Sequence, residues 1–287
     1  MCNKIAYIVQ AHKNAKQINL LIENLLDDNV DVYLHIDKKS VGVRENIVKR
    51  QNVYLLDIDE SIDVRWGDIS QVKATVALLK KVFDLGLEYK FIYLISGQCF
   101  PIKTKAERKA FFDKADKNDC FIDCYQSKVL DKRNDVKYPS AIIKNTFFAK
   151  VIKRLYMYVT GGRAHTFKLF KRKRPVEVFY HGSSWWCMSY DAIKSIYDKL
   201  TNESIWLEYF SKSVCADECV FQTLLMNFCK NAKVCKMPTY VDWSEGNRNP
   251  KLLTIQDKDV LIKTEHLFAR KFDICVDAEI VKQFCVD

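Results

Sequence analysis

The stretch "KIAYIVQAHKNAKQINLLIENLLDDNVDVYLHID" (residues 4–37) decides the fold class. Its two ends, 4–12 and 30–37, are short runs of β-branched, aromatic and aliphatic residues that close on polar positions, as strands do. Between them, residues 14–28 place apolar side chains at helical spacing. A strand, a helix and a second strand in this order predict a crossover connection between two parallel strands.

The same alternation continues to about residue 125. Residues 68–86 have helical spacing, with Asp68 or Ser70 as a candidate cap and Gly86 as the end. Three further runs have the composition of strands: "NVYLLD" (52–57), "FIYLISG" (91–97) and "CFIDC" (120–124). The sequence therefore predicts a Rossmann-like α/β fold with a mainly parallel central sheet that is covered on both faces.

Residues 126–175 lose this rhythm, and we interpret them as a basic variable insertion. Within the insertion, residues 140–160 have the spacing of a basic amphipathic helix, and residues 161–175 are typical of a mobile loop. The pattern then resumes with a strand-like run at 176–189, helical runs at 190–200 and 216–230, and a short strand at 239–243.

We predict a single domain over residues 1–287, since 287 residues fit one large α/β domain. Residues 1–125 would form its nucleotide-binding half, and residues 176–287 its acceptor and catalytic half.

The composition favours a folded protein with a sizeable core, because 48% of its residues are hydrophobic. No charged leader precedes the first strand, and no run approaches the ~18 apolar residues of a membrane helix. We therefore expect a cytoplasmic protein, at most peripheral at the inner face of a membrane. The eleven cysteines are odd in number and lack CxxC spacing, so we expect reduced core residues rather than disulfides or a zinc site.

The formal charge of +10 is unevenly distributed. Nine Lys or Arg residues and no acidic residue lie between Lys150 and Arg174. This segment is either a solvated, mobile face or a contact for an anionic surface, such as lipid headgroups or a diphosphate-linked carrier. No DNA- or RNA-binding motif accompanies the charge, so a nucleic-acid partner is not expected.

Open parallel sheets bind ligands at the carboxyl ends of their strands. No GxGxxG follows the first strand and no GxxxxGK[ST] occurs, which disfavours a dinucleotide-binding dehydrogenase and a P-loop NTPase. Asp57 and Asp59 have the spacing of acids that hold Mn²⁺ or Mg²⁺ on a nucleotide-sugar diphosphate. Such a short match arises easily by chance, and the later strand runs into Gly97, Gln98 and Cys99 instead of an acidic pair. We expect no metal; a metal-dependent transferase remains an alternative.

The segment "EHLFARKFD" (265–273) places Arg270 and Lys271 side by side between Phe268 and Phe272. The phenylalanines predict that the segment packs against the rest of the protein. Adjacent cations in such a setting are costly without a negative partner, so the pair indicates an anion-binding site.

Eight segments, taken in order, carry a resemblance to a known family: "AYIVQAHKN", "VDVYLHIDKKS", "RWGDISQVKAT", "YLISGQCFPIK", "GSSWWCMS", "ADECVFQTLL", "YVDWSEGNRNPK" and "HLFARKFD". Together they resemble the core-2/I-branching family of glycosyltransferases, which also includes peptide xylosyltransferases. The resemblance covers roughly residues 1–125 and 176–275, and no part of 126–175.

The resemblance implies a GT-A fold, a UDP-sugar donor (usually UDP-N-acetylglucosamine), inversion at the anomeric carbon and no metal requirement. In this family an Arg and a Lys neutralise the departing diphosphate, and the matching positions here are Arg248 and Lys271. Arg270 falls at a variable position of the motif and therefore ranks below Lys271. A guanidinium fork and a compact ammonium suit phosphate oxygens. The alternative is that these cations merely pair with a nearby acid: Asp242, Glu245 or Asp273.

The resemblance also places the general base of the family at Glu218. The motif is usually P-D-E, and here Ala216 replaces the Pro while Asp217 and Glu218 are kept. An inverting transfer needs one base to take the proton of the attacking hydroxyl. The alternative is that both acids only cap the helix that follows them.

Aromatic and polar residues near the predicted strand ends supply further candidates. Trp185 and Trp186 point to opposite sides of a strand, so one can contact a sugar unless both are buried. We expect sugar or acceptor contacts from Trp185, Trp186, Asp217 and Trp243, and nucleotide contacts from His12, Asp37 and Trp66.

The leading hypothesis is a bacterial-type, metal-independent inverting glycosyltransferase. It would move N-acetylglucosamine, or alternatively xylose, from a UDP-sugar to a glycan acceptor, which can be lipid-linked, with the basic 150–174 segment facing the membrane or the acceptor. The alternative from another class is a non-catalytic, polyanion- or membrane-binding protein that keeps a degenerate transferase fold.

Overall fold

The structure is a computed structural model that describes residues 3–136, 151–152, 154–155, 171–247 and 249–285. A seven-stranded sheet forms its centre, in the order β3-β2-β1-β4-β7-β6-β8. Its strands are β1 (Ile5–Ala11), β2 (Val30–Ile36), β3 (Val53–Leu55), β4 (Phe91–Ser96), β6 (Asp119–Ile122), β7 (Trp186–Ser189) and β8 (Lys233–Cys235). A second sheet has the order β5-β10-β9, formed by β5 (Cys99–Pro101), β10 (Phe268–Arg270) and β9 (Thr239–Val241).

The α-helices are numbered over the described residues. They are α1 (Ala15–Leu25), α2 (Val41–Glu45), α3 (Ser70–Asp84), α4 (Lys105–Lys114), α5 (Lys128–Asp135), α6 (Tyr190–Asn202), α7 (Ser204–Phe210), α8 (Val220–Phe228), α9 (Lys258–Lys263) and α10 (Glu279–Lys282). Two 3₁₀ turns, Ala216–Glu218 and Ile255–Asp257, precede α8 and α9. None of the helices in the described part of the chain is long and apolar enough to cross a bilayer.

The central sheet is mainly parallel, as the sequence predicts. β3, β2, β1 and β4 run parallel to one another, and β6 and β8 are parallel to each other. β7 is antiparallel to both β4 and β6. The predicted α/β fold with a mainly parallel sheet is therefore confirmed.

Helices cover both faces of this sheet because successive strand residues point in opposite directions. On β1, Tyr7 and Val9 belong to a core that includes the buried face of α1. Ala6 and Ile8 belong to a second core, with the buried faces of α3, α6 and α8. Nearly every residue of β1, β2 and β4 is buried, which explains why these strands are continuous apolar runs in the sequence.

The ends of the early helices follow the local signals. The Asn14 side chain accepts a hydrogen bond from the Gln17 backbone N–H at 3.2 Å. Asp68 accepts one from the Ser70 N–H at 2.7 Å just before α3, although the cap residue of this helix, Ile69, makes no side-chain cap. Gly86 has a φ of 65° just beyond α3, where a glycine ends a helix at little cost.

The second half departs from the sequence prediction in two places. The run 176–189 is a strand only from Trp186 onward, and the run 216–230 begins as a 3₁₀ turn before α8 starts at Val220. Helix α5 lies inside the segment interpreted as an insertion. The predicted helix at 140–160 and loop at 161–175 lie outside the described residues, apart from 151–152, 154–155 and 171–175.

Candidate active site

An open cleft lies at the carboxyl ends of β1, β2 and β4, with about 1440 Å³ of empty space. Gln10, Ala11 and His12 come from the end of β1, Asp37 follows β2, and Ser96 ends β4. Other parts of its wall come from Trp66, Ser184 and Trp185, from Asp217 and Glu218, and from Trp243, Arg270 and Lys271. This is the edge where an open parallel sheet binds its ligand.

Eight of the ten predicted site residues line this cleft. They are His12, Asp37, Trp66, Trp185, Asp217, Glu218, Trp243 and Lys271. Arg248 lies outside the described residues, although its neighbours Asn249 and Pro250 line the cleft. His12 and Lys271, which are 259 positions apart in the chain, thus line the same cleft.

Trp186 does not contact the cleft, which corrects the prediction of a sugar contact at this position. Its side chain is fully buried and packs against Phe221, with ring centroids 5.2 Å apart. The alternation along β7 places Trp186 in the core and leaves the preceding Trp185 in the cleft wall. Only one of the two tryptophans can therefore contact a ligand.

The β1 and β2 ends are held together by backbone and hydroxyl contacts. The Asp37 N–H donates to the Ala11 carbonyl at 2.9 Å, and the Ser40 hydroxyl donates to the His12 carbonyl at 2.7 Å. Lys39 pairs with Asp63 at 2.8 Å. These contacts fix His12 and Asp37 beside each other at the cleft.

His35, at the end of β2, also lines the cleft but has a structural contact. Its Nε2 accepts a hydrogen bond from the Ile62 N–H at 2.9 Å. Burial lowers the pKa of His35 to about 4, so the ring is neutral at pH 7 and suited to accept that bond.

The cationic side of the cleft is formed where β10 ends. The peptide bond between Arg270 and Lys271 is cis. The backbone just after the pair is anchored, because the Phe272 N–H donates to the Gln98 carbonyl at 2.9 Å and the Gln17 side chain donates to the Phe272 carbonyl at 3.2 Å. Arg270 and Lys271 therefore occupy fixed positions in the wall.

The Arg270 guanidinium stacks over the Trp185 ring at 5.0 Å, a distance typical of a cation–π contact. Its Nε atom is buried and has no hydrogen-bond partner among the described residues. No carboxylate in the described part of the chain lies within ion-pair distance of Arg270. A buried guanidinium of this kind is costly unless an anion completes it.

The charges around this pair make this side of the cleft electropositive. Burial lowers the pKa of Arg270, and burial together with Lys13 and Arg270 lowers the pKa of Lys271. Partial burial and Lys13 likewise lower the pKa of His12. Each shift means that the protonated form lacks compensation, which a negative ligand would supply.

The two acids lie on the 3₁₀ turn Ala216–Glu218, on the other side of the cleft. The Gly182 N–H donates to the Glu218 carbonyl at 3.0 Å and fixes the turn. The Glu218 carboxylate is partly exposed, and Oε2 pairs with Arg133 Nη1 at 3.0 Å. Glu218 thus reaches the cleft with a carboxylate that an incoming hydroxyl can approach.

Asp217 is buried, and one carboxylate oxygen accepts a hydrogen bond from the Ser184 hydroxyl. Burial raises the pKa of Asp217 to about 6. Neither acid makes a side-chain cap for α8, whose preceding residue Cys219 also makes none. The interpretation of both acids as helix caps is therefore disfavoured.

Arg133, on α5, is a site residue that the sequence reasoning missed, since it falls in the supposed insertion. Nothing in the local sequence distinguishes it from the many other basic residues of 126–175. Only the tertiary contact with Glu218 identifies it.

The C-terminal end of the basic segment is not a free charged face. Arg172 stacks on Tyr209 at 3.9 Å and donates to the Ser213 hydroxyl at 2.8 Å. Arg174 pairs with Asp135 at 2.6 Å and with Asp131 at 3.2 Å. The prediction that 150–174 faces a membrane or an acceptor is therefore wrong for these two arginines, which stabilise the fold.

Asp57 and Asp59 follow β3 on an exposed loop and do not line the cleft. Among the described residues, no group of three or more His, Cys, Asp or Glu side chains is arranged to hold a metal ion. Of the ten cysteines that the described residues include, four are buried in the cores, five are partly buried and Cys275 is exposed, so the expectation of core cysteines holds only for Cys99, Cys120, Cys187 and Cys219.

Comparison with known proteins accounts for this arrangement. The family model of the core-2/I-branching enzymes matches residues 5–263. The chain therefore belongs to the core-2/I-branching enzyme family, and its class is that of a glycosyltransferase. Such an enzyme takes a nucleotide-sugar donor and a glycan or peptide acceptor.

Among solved structures, the chain is similar to the apo form of mouse xyloside xylosyltransferase 1. The identity is 9%, the TM-score is 0.37, and the match covers 92% of this chain and 97% of the other. No curated protein matches the chain significantly.

Proposed function

We propose that the protein transfers a sugar, with N-acetylglucosamine as the first candidate, from a UDP-sugar to a glycan hydroxyl with inversion at the anomeric carbon. The observation that carries the proposal is a single cleft that holds a carboxylate, Glu218, and a partly buried cationic pair, Arg270 and Lys271. A transfer of this type needs these two features, a base and a site for the leaving diphosphate.

In the reaction, the acceptor oxygen attacks the anomeric carbon and forms the new glycosidic bond. The bond from the anomeric carbon to the phosphate oxygen breaks, and UDP departs with the electron pair. Glu218 accepts the hydroxyl proton. Because Oε2 is engaged by Arg133, the other carboxylate oxygen, Oε1, is the one available for this proton.

The leaving diphosphate would bind to Lys271 and Arg270, joined by Arg248. Arg270 is a stronger candidate for diphosphate binding than the sequence predicts. Its guanidinium lines the cleft, and its Nε has no partner among the described residues. Charge stabilisation of a leaving group is often worth about 3 kcal/mol per donor. Three cations would perform the role that Mn²⁺ or Mg²⁺ has in other transferases, so the proposed reaction needs no metal.

The rest of the cleft suggests where each part of the substrates binds. His12, Asp37 and Trp66 would contact the nucleotide at the β1 and β2 ends, while Trp185 and Asp217 would contact the donor sugar. Trp66 and Trp243 are 70% and 55% exposed, which is unusual for tryptophan and typical of residues that stack on a ligand. Trp243 would contact the acceptor.

The first test is a thermal shift in EDTA with UDP, UDP-N-acetylglucosamine and UDP-xylose. Ligand at about 100 times its Kd stabilises a protein by about 2.7 kcal/mol, so we expect a rise in Tm of about 5 °C or more. Lys271→Ala and Arg270→Gln should each weaken UDP binding at least about tenfold, since each removes a charged phosphate contact.

The matched control is Lys73→Ala, which removes an exposed cation of α3 that does not line the cleft. It should bind UDP like the wild type. A shift that appears only when Mn²⁺ is added would support the metal-dependent alternative. No preference for uridine nucleotides over other polyanions would support the degenerate, non-catalytic scaffold instead.

Glu218→Gln separates catalysis from binding. The variant should keep its UDP-sugar affinity and lose about 10²- to 10⁴-fold in the rate of sugar transfer, the usual contribution of a general base. Transfer at the wild-type rate would remove Glu218 from the mechanism.

A further inference from the structure

The excess positive charge of the chain is confined to the segment 126–175. This segment holds 14 of the 46 Lys and Arg residues and 2 of the 36 Asp and Glu residues, a net charge of +12. Since the whole chain carries +10, all the other residues together carry −2. The net positive charge of the chain therefore comes from this segment.

The segment touches the proposed base directly. Arg133 of α5 pairs with Glu218 at 3.0 Å, and the two side chains are 41% and 43% exposed. Arg133 is not part of the cleft wall, so it reaches Glu218 from outside the donor site. An ion pair this exposed is weak, because water and salt screen it, and it can be exchanged for another partner.

Helix α5 holds Arg133 in this place through buried contacts. The Asn134 side chain is buried and donates to Cys219 Sγ at 3.2 Å, one residue beyond Glu218. Asp131 contacts the buried His181 ring at 2.9 Å, and Arg174 joins Asp131 to Asp135. Arg133 is therefore a fixed feature of the rim beside Glu218.

An exposed aromatic ring lies on the same rim. Tyr125 is 51% exposed, and its backbone is paired with that of His181 through two hydrogen bonds. His181 precedes Gly182, whose N–H donates to the Glu218 carbonyl. Tyr125 is therefore linked to Glu218 through the backbone of His181 and Gly182, and neither Tyr125 nor Arg133 lines the donor cleft.

We propose that Tyr125 and Arg133 form an acceptor subsite, and that this subsite takes a sugar bearing a negatively charged group, a carboxylate or a phosphate. The inference rests on the proposed transferase function. Because the exposed pair is weak, an anionic group on the incoming acceptor exchanges with Glu218 as the partner of Arg133 before the proton moves. The new contact orients the sugar so that its hydroxyl meets Glu218, while Tyr125 packs against the sugar ring.

The test measures binding of three glycosides to the full-length protein saturated with UDP, which occupies the cationic pair of the cleft. The probes are methyl β-D-glucoside, its 6-phosphate and methyl β-D-glucuronoside, which differ only at C6. Saturation-transfer NMR titration gives their Kd values for the wild type, Arg133→Gln, Arg133→Lys and the control Lys132→Gln. Lys132 is an exposed cation on the same helix.

The wild type should bind at least one anionic glycoside about tenfold more tightly than the neutral one, and the better of the two identifies the charged group. Arg133→Gln should abolish this preference, Arg133→Lys should keep part of it, and Lys132→Gln should keep all of it. Tyr125→Ala should weaken all three probes alike.

Equal binding of neutral and charged probes by the wild type, or a preference that survives Arg133→Gln, would overturn the subsite. These results are independent of the proposed function, because UDP binding is read from the same samples. Failure of UDP to bind would reject the donor site, whereas failure of anion selectivity with UDP bound would reject only the subsite.

Discussion

Asp217 shows how the site is built at the expense of stability. Its carboxyl group is only 8% exposed, yet it faces the cleft beside a second acid. Burial raises its pKa to about 6, above the value of 3.8 expected when the chain is unfolded. The folded state therefore binds this proton more tightly, so stability is lost as the pH rises from about 4 to 6 and stays lost above 6.

Asp217→Asn should consequently stabilise the protein at pH 7.5, by roughly 3 kcal/mol at most, because it removes a buried charge and keeps an oxygen for the Ser184 hydroxyl. Thermal denaturation at pH 7.5 and pH 4.5 checks this, and the gain should shrink at the lower pH. Asp63→Asn is a control of opposite sign, since its contact with Lys39 lowers the pKa of Asp63. A variant less stable than the wild type at pH 7.5 would contradict the burial argument.

His12 reports on the charge of the bound ligand. Partial burial and Lys13 lower its pKa below 6.5 in the free protein. A diphosphate bound near Lys271 favours the imidazolium, so UDP should raise the pKa of His12. An NMR titration of the His12 ring with and without UDP measures this, and His266, which does not line the cleft, serves as the internal reference. An unchanged His12 pKa in the complex would place the diphosphate elsewhere.

At this scale the sequence predicted the positions of candidate site residues where a motif surrounded them, and their chemical roles stay predictions. Glu218 and Lys271 were located through "ADE" and "LFARKFD", and both line the cleft. Arg270 was undervalued, because its lack of a partner depends on which side chains fold around it. Trp186 was misplaced, since a pair of tryptophans does not reveal which one faces the core.

Among the elements, the turn that carries Glu218 depends on Gly182. A Cβ atom at Gly182 would lie 1.8 Å from the Asp123 carbonyl oxygen, so the backbone must move to accept any side chain. The same glycine donates to the Glu218 carbonyl. The close approach of these two backbones therefore sets the position of the base.

Gly182→Ala should destabilise the protein by about 3 kcal/mol and lower transfer activity, because the 3₁₀ turn shifts. Gly42→Ala is the matched control: Gly42 lies in α2, and a Cβ atom at this position would have open space for 4 Å around it. It should be neutral or stabilising by about 0.5–1 kcal/mol, since alanine favours a helix. Denaturant unfolding compares the two, and equal stabilities would refute the tight contact.

The elements of the parallel sheet were predictable because β1, β2 and β4 are buried along their whole length and appear as uninterrupted apolar runs. The strand β7 was predicted too long, because Val176 and Phe179 pack against the core from loop positions rather than from a strand. Helix α5 was missed for the opposite reason. Its contacts are polar and distant in sequence, such as Asn134 with Cys219 and Asp131 with His181, and no local periodicity encodes them.

In the whole molecule, the charge is divided between a near-neutral body and one basic segment. We predict that the basic segment 150–174 contacts an anionic membrane, where each Lys or Arg near the surface adds an attraction of about 1 kcal/mol. Replacing Lys150, Lys153, Arg154, Lys171 and Lys173 by Gln, with Arg172 and Arg174 kept, should weaken binding to anionic vesicles more than tenfold.

Vesicle sedimentation measures this binding, and neutral vesicles provide the baseline. The control carries five exposed lysines from the near-neutral body replaced by Gln, and it should keep most of the affinity. Equal vesicle binding by the wild type and the 150–174 variant would contradict the membrane contact. Arg172→Gln alone should lower Tm rather than vesicle affinity, because Arg172 stacks on Tyr209.

The contacts of α5 have a consequence for protein engineering. A long basic segment such as 126–175 is an obvious candidate for exchange between relatives, with the aim of changing acceptor preference. Here segment 126–175 contacts the rest of the protein at three places: Asn134 bonds to Cys219, Arg172 stacks on Tyr209, and Asp131 contacts His181. A chimera cut at residues 126 and 175 would separate these pairs and displace Arg133 from Glu218. A functional chimera should therefore exchange both residues of each pair together, so that the new segment keeps the residues that it contacts.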